Sequence, residues 1–173
     1  MNSRQFQFQS LVQAHSTELF RYALAQCRQP ELAEDLVQET FLRAWRYLDK
    51  LQDASAARAW LYTILRREQA RHYGRKTPER HAVEIDEQFI HDDSVWASPE
   101  RQCSDAELRA AIEQLPAKYR EPLLLQILGG FTGVEIAKQL GITANAVMVQ
   151  LFRARQKLRE ALVESERSVH GMP

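Results

Sequence analysis

Side chains able to ligate a metal are concentrated in one stretch of this chain of 173 residues. They are His81, Glu84, Asp86, His91, Asp92 and Asp93. This stretch lacks the periodicity of a helix and the His-x-x-x-His spacing that places two ligands on one helix face. The only cysteines, Cys27 and Cys103, are far apart in the sequence and do not show a metal-ligand spacing. The sequence therefore predicts no metal, no cofactor, no catalytic residue and no enzyme. A bound metal that survives dialysis would support the alternative of a metal-dependent enzyme.

Basic residues near the end of the chain are better suited to binding a nucleic acid. No acidic residue occurs from Ala144 to Arg159, whereas Arg153, Arg155 and Lys157 lie in that interval. A helix with this composition can lie in a major groove, with its first turns at base edges and its basic end along the phosphates. This segment is therefore a candidate DNA-recognition helix.

The residues before this helix predict the structure that positions it. Thr132 stands three residues before Glu135, as in a capping box at a helix start. Gly141 can end that helix in the left-handed conformation, and Thr143 can cap the next one. Small Ala137 suits the closest approach of the two backbones. The pattern predicts a helix-turn-helix over residues 132–157. A helical hairpin with a solvated basic face would fit part of the pattern, but the coincidence of these features favours DNA binding.

The distribution of charge predicts two modules, although the chain as a whole is neutral, with 23 basic and 23 acidic residues. Basic residues dominate residues 58–76, acidic residues dominate 77–107, and bases dominate again after Ala144. This alternation is typical of two DNA-facing modules joined by a segment that avoids DNA. We expect an N-terminal domain at 1–76, a flexible acidic linker at 77–104 and a C-terminal domain at 105–173.

Hydrophobic periodicity is helical throughout, with no alternation typical of strands, so the predicted fold class is all-α. One long helix is expected from Glu31 to about Lys50, and residues 163–173 are expected to form a frayed tail. No apolar run is long enough to span a membrane, and the polar start MNSRQFQFQ is not typical of a signal peptide. Together with the low cysteine content, this predicts a cytoplasmic protein.

Three stretches, in this order, resemble a known family. They are AEDLVQETFLRAWRYL at 33–48, ARAWLYTILRREQARHYGRK at 57–76, and LPAKYREPLLLQILGGFTGVEIAKQLGITANAVMVQLFRARQKLRE at 115–160. Together they are similar to the extracytoplasmic-function (ECF) sigma factors of bacterial RNA polymerase. The resemblance covers nearly the whole chain. It implies a factor that binds core RNA polymerase and promoter DNA, performs no covalent chemistry and is controlled by an anti-sigma factor.

The resemblance assigns polymerase docking to the long helix. The implied contacts are Asp35, Gln38, Glu39, Phe41 and Arg43, with Trp45 as a neighbour. Aromatic residues and arginine often anchor protein interfaces. Phe41 and Trp45 would equally suit the hydrophobic core, so exposed Gln38 and Glu39 are the stronger candidates.

The resemblance also implies that the −10 promoter element is bound by the next loop and helix. The implied residues are Asp53, Ser55, Arg58, Arg66, Arg67, Arg71, Arg75 and Lys76. The loop at 51–57 would hold a nucleobase flipped out of the opening duplex, and the arginine and lysine side chains would attract phosphates. The family commonly has Arg-Asn where this chain has Arg66-Arg67, so the preferred −10 sequence does not follow from the resemblance.

Recognition of the −35 element is implied for the helix-turn-helix. The implied residues are Thr143, Asn145, Ala146, Met148, Val149, Gln150, Arg153, Arg155 and Lys157. The family often has Lys-Ser-Arg where this chain has Met148-Val149-Gln150. Either Arg153 and Arg155 carry more of the contact, or the two apolar residues contact thymine methyl groups. A stand-alone helix-turn-helix repressor or activator is the alternative function, but it leaves residues 33–76 unexplained.

Overall fold

The computed structural model describes residues 2–74 and 104–171. Within these ranges it contains α-helices and short 3-10 turns and no strand. The helices are α1 (Ser3–Cys27), α2 (Pro30–Arg46), α3 (Ala57–His72), α4 (Asp105–Gln114), α5 (Ala117–Ile127), α6 (Gly133–Leu140) and α7 (Ala144–His170). The all-α prediction is confirmed.

The chain forms two compact units. Among the described residues, the first unit consists of 2–74 and the segment Leu124–Phe131. The second consists of 104–123 and 132–171. The proposed linker at 77–104 lies, except for Ser104, outside the described residues, so the domain boundaries remain predictions.

The first unit is built on the apolar faces of α1, α2 and α3. Leu19 of α1, Ala44 of α2 and Leu61 of α3 are fully buried. Pro30 occupies the first turn of α2, where the missing N–H costs no helical hydrogen bond and the fixed φ favours the helix. The turn before it contains Arg28 at φ 57°, in the left-handed region.

Three aromatic rings form the centre of this unit. Tyr62 of α3 makes edge-on contacts with Tyr22 of α1, at a ring-centroid distance of 5.1 Å, and with Phe131, at 5.0 Å. All three rings are buried, and such contacts add to the stabilisation from buried area. Nearby, Arg58 donates a hydrogen bond to the carbonyl oxygen of Gly129 at 3.1 Å. The segment Leu124–Phe131 is thus held to α3 by apolar and polar contacts.

The hydroxyl of Tyr62 is buried and, within the described residues, has no hydrogen-bond partner. Burial, followed by the nearby Glu18 carboxylate, raises the pKa of Tyr62. Because a buried donor without a partner destabilises the folded state, Tyr62→Phe should leave the free energy of unfolding unchanged or raise it by up to about 1 kcal/mol. The hydroxyl of Tyr22 accepts a hydrogen bond from Gln26, so Tyr22→Phe should instead lower it by about 1 kcal/mol. Urea unfolding of both variants tests this, and a greater loss for Tyr62→Phe would contradict it.

Capping residues mark the starts of three helices of the second unit. Ser104 and Glu107 form a capping box at α4, and Thr132 and Glu135 form another at α6. Thr143 accepts a hydrogen bond from the backbone of Ala146 at 3.1 Å and so caps α7. These contacts satisfy N–H groups that lack partners within the helix.

The turn of the helix-turn-helix is built as the sequence predicted. Gly141 ends α6 at φ 67°, a conformation in which a side chain would be strained. Ile136 and Val147 are fully buried, and Ala137 is 9% exposed. The predicted helix-turn-helix is present in the second unit.

Two predicted helix ends are wrong. The long helix ends at Arg46 rather than near Lys50, because the chain tightens into a 3-10 turn at Leu48–Lys50. That turn buries Leu48 beside Leu11 and Ala57. The predicted frayed tail is instead the end of α7, which continues to His170 because no glycine or proline interrupts residues 144–170.

Candidate polymerase and promoter interfaces

The docking residues implied for α2 divide between its surface and the core. Asp35 and Gln38 are exposed. Glu39 is partly exposed and pairs with Arg43 one turn later, at 3.2 Å. Phe41 is only 8% exposed, so it belongs to the core and is not available for a protein contact in this structure. The polar members of the predicted set therefore share the accessible part of α2.

Two apolar residues lie on the same helix face: Leu42, which was not predicted, and Trp45, which was predicted as a neighbour of the docking contacts or as a core residue. Leu42 is 61% exposed and Trp45 is 39% exposed. The guanidinium of Arg4 lies 4.9 Å from the Trp45 ring centroid and donates a hydrogen bond to the Trp45 carbonyl oxygen. The signal was available in the sequence, because residues 35, 38, 42 and 45 recur at intervals of three and four and so share a helix face.

The loop before α3 presents two of the residues implied for the −10 element. Asp53 and Ser55 are exposed, and the Asp53 carboxylate accepts a hydrogen bond from the Ser55 backbone at 2.8 Å. Hydrogen bonds from Ser55 lower the pKa of Asp53 below its usual value. Asp53 thus presents an ionised carboxylate to solvent at neutral pH.

The basic residues of α3 occupy different environments. Arg67 and Arg71 are exposed, and Arg66 is half-buried. Arg58, at the start of α3, lies 3.6 Å from Glu18 and is also bonded to Gly129, so its charge is partly used within the protein. Arg75 and Lys76 lie outside the described residues. Arg67 and Arg71 are therefore the described cations of α3 most accessible to phosphates.

The first turns of α7 expose fewer of the predicted −35 contacts than the sequence suggested. Asn145 is exposed and Met148 is 43% exposed. Ala146, Val149 and Gln150 are 7%, 8% and 4% exposed. A buried side chain cannot reach a base edge without a change in its surroundings. Asn145 and Met148 are thus the better-placed residues for base contacts in this arrangement.

Three basic residues follow on α7. Lys157 is exposed, whereas Arg153 and Arg155 are half-buried. Burial, followed by repulsion from Arg159, lowers the pKa of Arg155. Because an arginine titrates far above neutral pH, Arg155 remains charged under physiological conditions.

Residues 2–74 and 104–171 also bear on metal binding, membrane spanning and cysteine chemistry. No group of three or more His, Cys, Asp or Glu residues there could hold a metal. No helix there is long and apolar enough to cross a membrane. Cys27 is buried and its thiol lies 3.3 Å from the Gln29 carbonyl oxygen. The candidate metal ligands considered in the sequence (His81, Glu84, Asp86, His91, Asp92 and Asp93) and Cys103 lie outside the described ranges.

Two family models match the chain. Sigma-70 region 2 matches residues 11–78, and Sigma-70, region 4 matches residues 105–158. The first match contains α2 and α3, and the second contains the helix-turn-helix. The fold and the matched regions together define a sigma factor.

Comparison with known proteins shows to which group of sigma factors the chain belongs. The chain is 32% identical to the ECF RNA polymerase sigma factor SigL of Mycobacterium tuberculosis, over 90% of this chain and 88% of the relative. It is 31% identical to the ECF RNA polymerase sigma factor SigM of Bacillus subtilis, over 86% of this chain and 91% of the relative. The chain belongs to the ECF sigma factors. It binds core RNA polymerase and directs it to promoters.

Solved structures show the same fold. The sigma factor RpoE in complex with the anti-sigma factor NepR from Bartonella quintana is 29% identical, with a TM-score of 0.67 over 90% of this chain and 96% of that chain. CnrH in complex with the cytosolic domain of CnrY is 26% identical, with a TM-score of 0.64 over 93% of this chain and 90% of that chain.

Proposed function

We propose that this sigma factor divides its work among three surfaces. The exposed face of α2 binds core polymerase, the 51–57 loop with α3 binds the −10 element, and α7 reads the −35 element. The protein acts in the cytoplasm and contributes binding rather than covalent chemistry. The observation that carries this division is that α2, α3 and α7 each present separate accessible polar or basic residues.

Docking through α2 is supported by the composition of its exposed face. Asp35 and Gln38 can form hydrogen bonds, and Leu42 and Trp45 supply apolar area on the same face. Exposed aromatic and aliphatic side chains surrounded by polar groups are typical of protein interfaces. Trp45, whose ring contacts the guanidinium of Arg4, is the best-placed anchor residue.

Promoter opening follows from preferential binding of separated strands. Asp53 and Ser55 can form hydrogen bonds to an unpaired base, while Arg67 and Arg71 attract the phosphates beside it. Because the contacts of Asp53 and Ser55 need an unpaired base, they stabilise the open promoter more than the duplex. The opening equilibrium shifts by that difference in binding free energy.

Recognition of the −35 element combines base contacts with phosphate contacts. Asn145 and Met148 lie in the first turns of α7, where a recognition helix meets base edges. Arg153, Arg155 and Lys157 lie further along the helix, where phosphate attraction would fix its position. Met148 can contact a thymine methyl group but cannot supply a positive charge.

Control by an anti-sigma factor is supported by the solved relatives. The similar structure of RpoE is a complex with the anti-sigma factor NepR, and that of CnrH is a complex with the cytosolic domain of CnrY. A regulator that covers the exposed face of α2 would compete directly with polymerase for the same residues. Release of that regulator would then make the sigma factor available for transcription.

The first test is transcription in vitro. Purified protein and sigma-free core polymerase are incubated with a library of genomic fragments, and the 5′ ends of the transcripts are sequenced. We expect discrete start sites that share two upstream elements. Core polymerase alone is the control. If the protein alone binds specific DNA sites and no polymerase-dependent transcription start sites appear, the result would favour the alternative function of a stand-alone helix-turn-helix repressor or activator.

A further inference from the structure

A chain of alternating charges connects α2 to α3. The Nε atom of Arg43 lies 3.2 Å from a carboxylate oxygen of Glu39, on its own helix, and 2.5 Å from Oε1 of Glu68, on α3. The same Glu68 oxygen lies 3.6 Å from Nη1 of Arg71. The four charges therefore alternate from the docking surface of α2 to the basic surface of α3.

The two central residues of this chain of charges are less exposed than the two at its ends. The side chain of Glu68 is 7% exposed and that of Arg43 is 26% exposed, whereas Glu39 and Arg71 are 44% and 61% exposed. A buried ion pair loses hydration, so apolar residues of similar volume often stabilise a fold equally well. The ion pair between Arg43 and Glu68 is thus not needed for stability alone, but it fixes the position of α2 against α3.

The geometry around Arg43 leaves part of its guanidinium for a partner. Both ion pairs recorded for Arg43 in the described structure involve Nε, and this atom lacks the alignment of a true hydrogen bond. Its Nη groups take part in neither pair. A polymerase residue that binds Arg43 or Glu39 would therefore act on the same charges that contact α3.

We propose that Glu68 is a positioning residue that couples polymerase docking to −10 binding. Its carboxylate holds Arg43 of α2 and Arg71 of α3, so that docking places α3 correctly for the opened DNA strand. Glu68 touches neither polymerase nor DNA in this role. Because the inference rests on the proposed roles of α2 and α3, its test measures polymerase binding and −10 binding separately.

The test compares Glu68→Gln with the wild type. Glutamine keeps the size of the side chain and removes its charge. Affinity for core polymerase is measured first. Binding of a fluorescent single-stranded oligonucleotide carrying the −10 element found by 5′-end mapping is then measured at saturating polymerase. We expect core affinity to change less than about threefold and −10 affinity to fall about tenfold, which is about 1.4 kcal/mol. Glu31→Gln, which removes an exposed carboxylate of α2, should change neither.

Two further variants separate coupling from folding. Glu68→Asp retains the charge and should recover part of the −10 affinity. If Glu68 acts through Arg43, the effects of the two substitutions should not add. The double variant Arg43→Gln with Glu68→Gln should then bind the oligonucleotide as well as the single variant that has the lower affinity.

A parallel loss of core affinity and −10 affinity would show that Glu68 only maintains the fold and would overturn the proposal. Unchanged −10 affinity with intact docking would also overturn it. Failure of the docking role of α2 would appear separately, as unchanged core affinity when Gln38 and Glu39 are replaced.

Discussion

Replacing Gln38 and Glu39 together with alanine is expected to weaken binding to core RNA polymerase about tenfold or more. Gln38 is exposed and Glu39 is partly exposed on the face of α2 that also presents Leu42 and Trp45. If each residue forms one hydrogen bond with a net value of about 1 kcal/mol, the combined loss exceeds the roughly 1.4 kcal/mol that corresponds to tenfold in affinity. Fluorescence anisotropy of labelled protein titrated with core enzyme measures the change. Circular dichroism should show an unchanged helical fold.

Glu39 requires its own control, because it also pairs with Arg43 at 3.2 Å. Gln38→Ala alone leaves that ion pair intact and should still weaken binding. Glu31→Ala removes an exposed carboxylate from the first turn of the same helix and should have little effect. Core affinity that is unchanged in the Gln38 and Glu39 double variant would place the docking surface elsewhere.

Replacing Arg153 and Arg155 together with alanine is expected to reduce promoter use about tenfold or more without changing polymerase binding. If both arginines contact phosphates, the plot of log affinity against log salt concentration should lose about two units of slope. Promoter binding by the holoenzyme at several salt concentrations, together with transcription in vitro, measures both effects. Loss of polymerase affinity would contradict the separation of the α2 and α7 surfaces.

The single variants distinguish the two arginines. Arg155 is half-buried, so Arg155→Ala removes packed aliphatic area of the side chain and should lower stability as well as DNA affinity. Arg153→Ala should act mainly on DNA affinity. Lys138→Ala is the matched control, because Lys138 is an exposed basic residue of α6 outside the predicted contact set. A salt slope that no variant changes would assign −35 binding to other residues.

The parts of the fold that depend on local rules were predictable from the sequence. Thr132 with Glu135 marks the start of α6, Gly141 marks its end, and Thr143 marks the start of α7. Each feature acts within about four residues, so its chemistry is visible in the sequence. The family resemblance, carried by three ordered stretches, is confirmed by the relatives and by the two matched regions.

The parts that depend on distant contacts were not predictable. Phe41 and Trp45 are both aromatic and lie four residues apart, yet Phe41 is buried and Trp45 is not. Glu68 is buried and pairs with Arg43, which is 25 residues earlier in the chain. Val149 and Gln150 read as recognition residues by position alone, but their burial is set by the packing around α7. Single-residue roles at the three surfaces therefore remain predictions.

The uninterrupted length of α7 places its two ends far apart. A helix of 27 residues is about 40 Å long. Its last turn, near Val169 and His170, is therefore far from the first turn, where Asn145 and Met148 lie. A fluorophore attached at that distal end would rotate with the recognition helix while leaving the DNA contacts untouched. A label at the C-terminal end of α7 would thus report how its N-terminal turns are oriented during initiation.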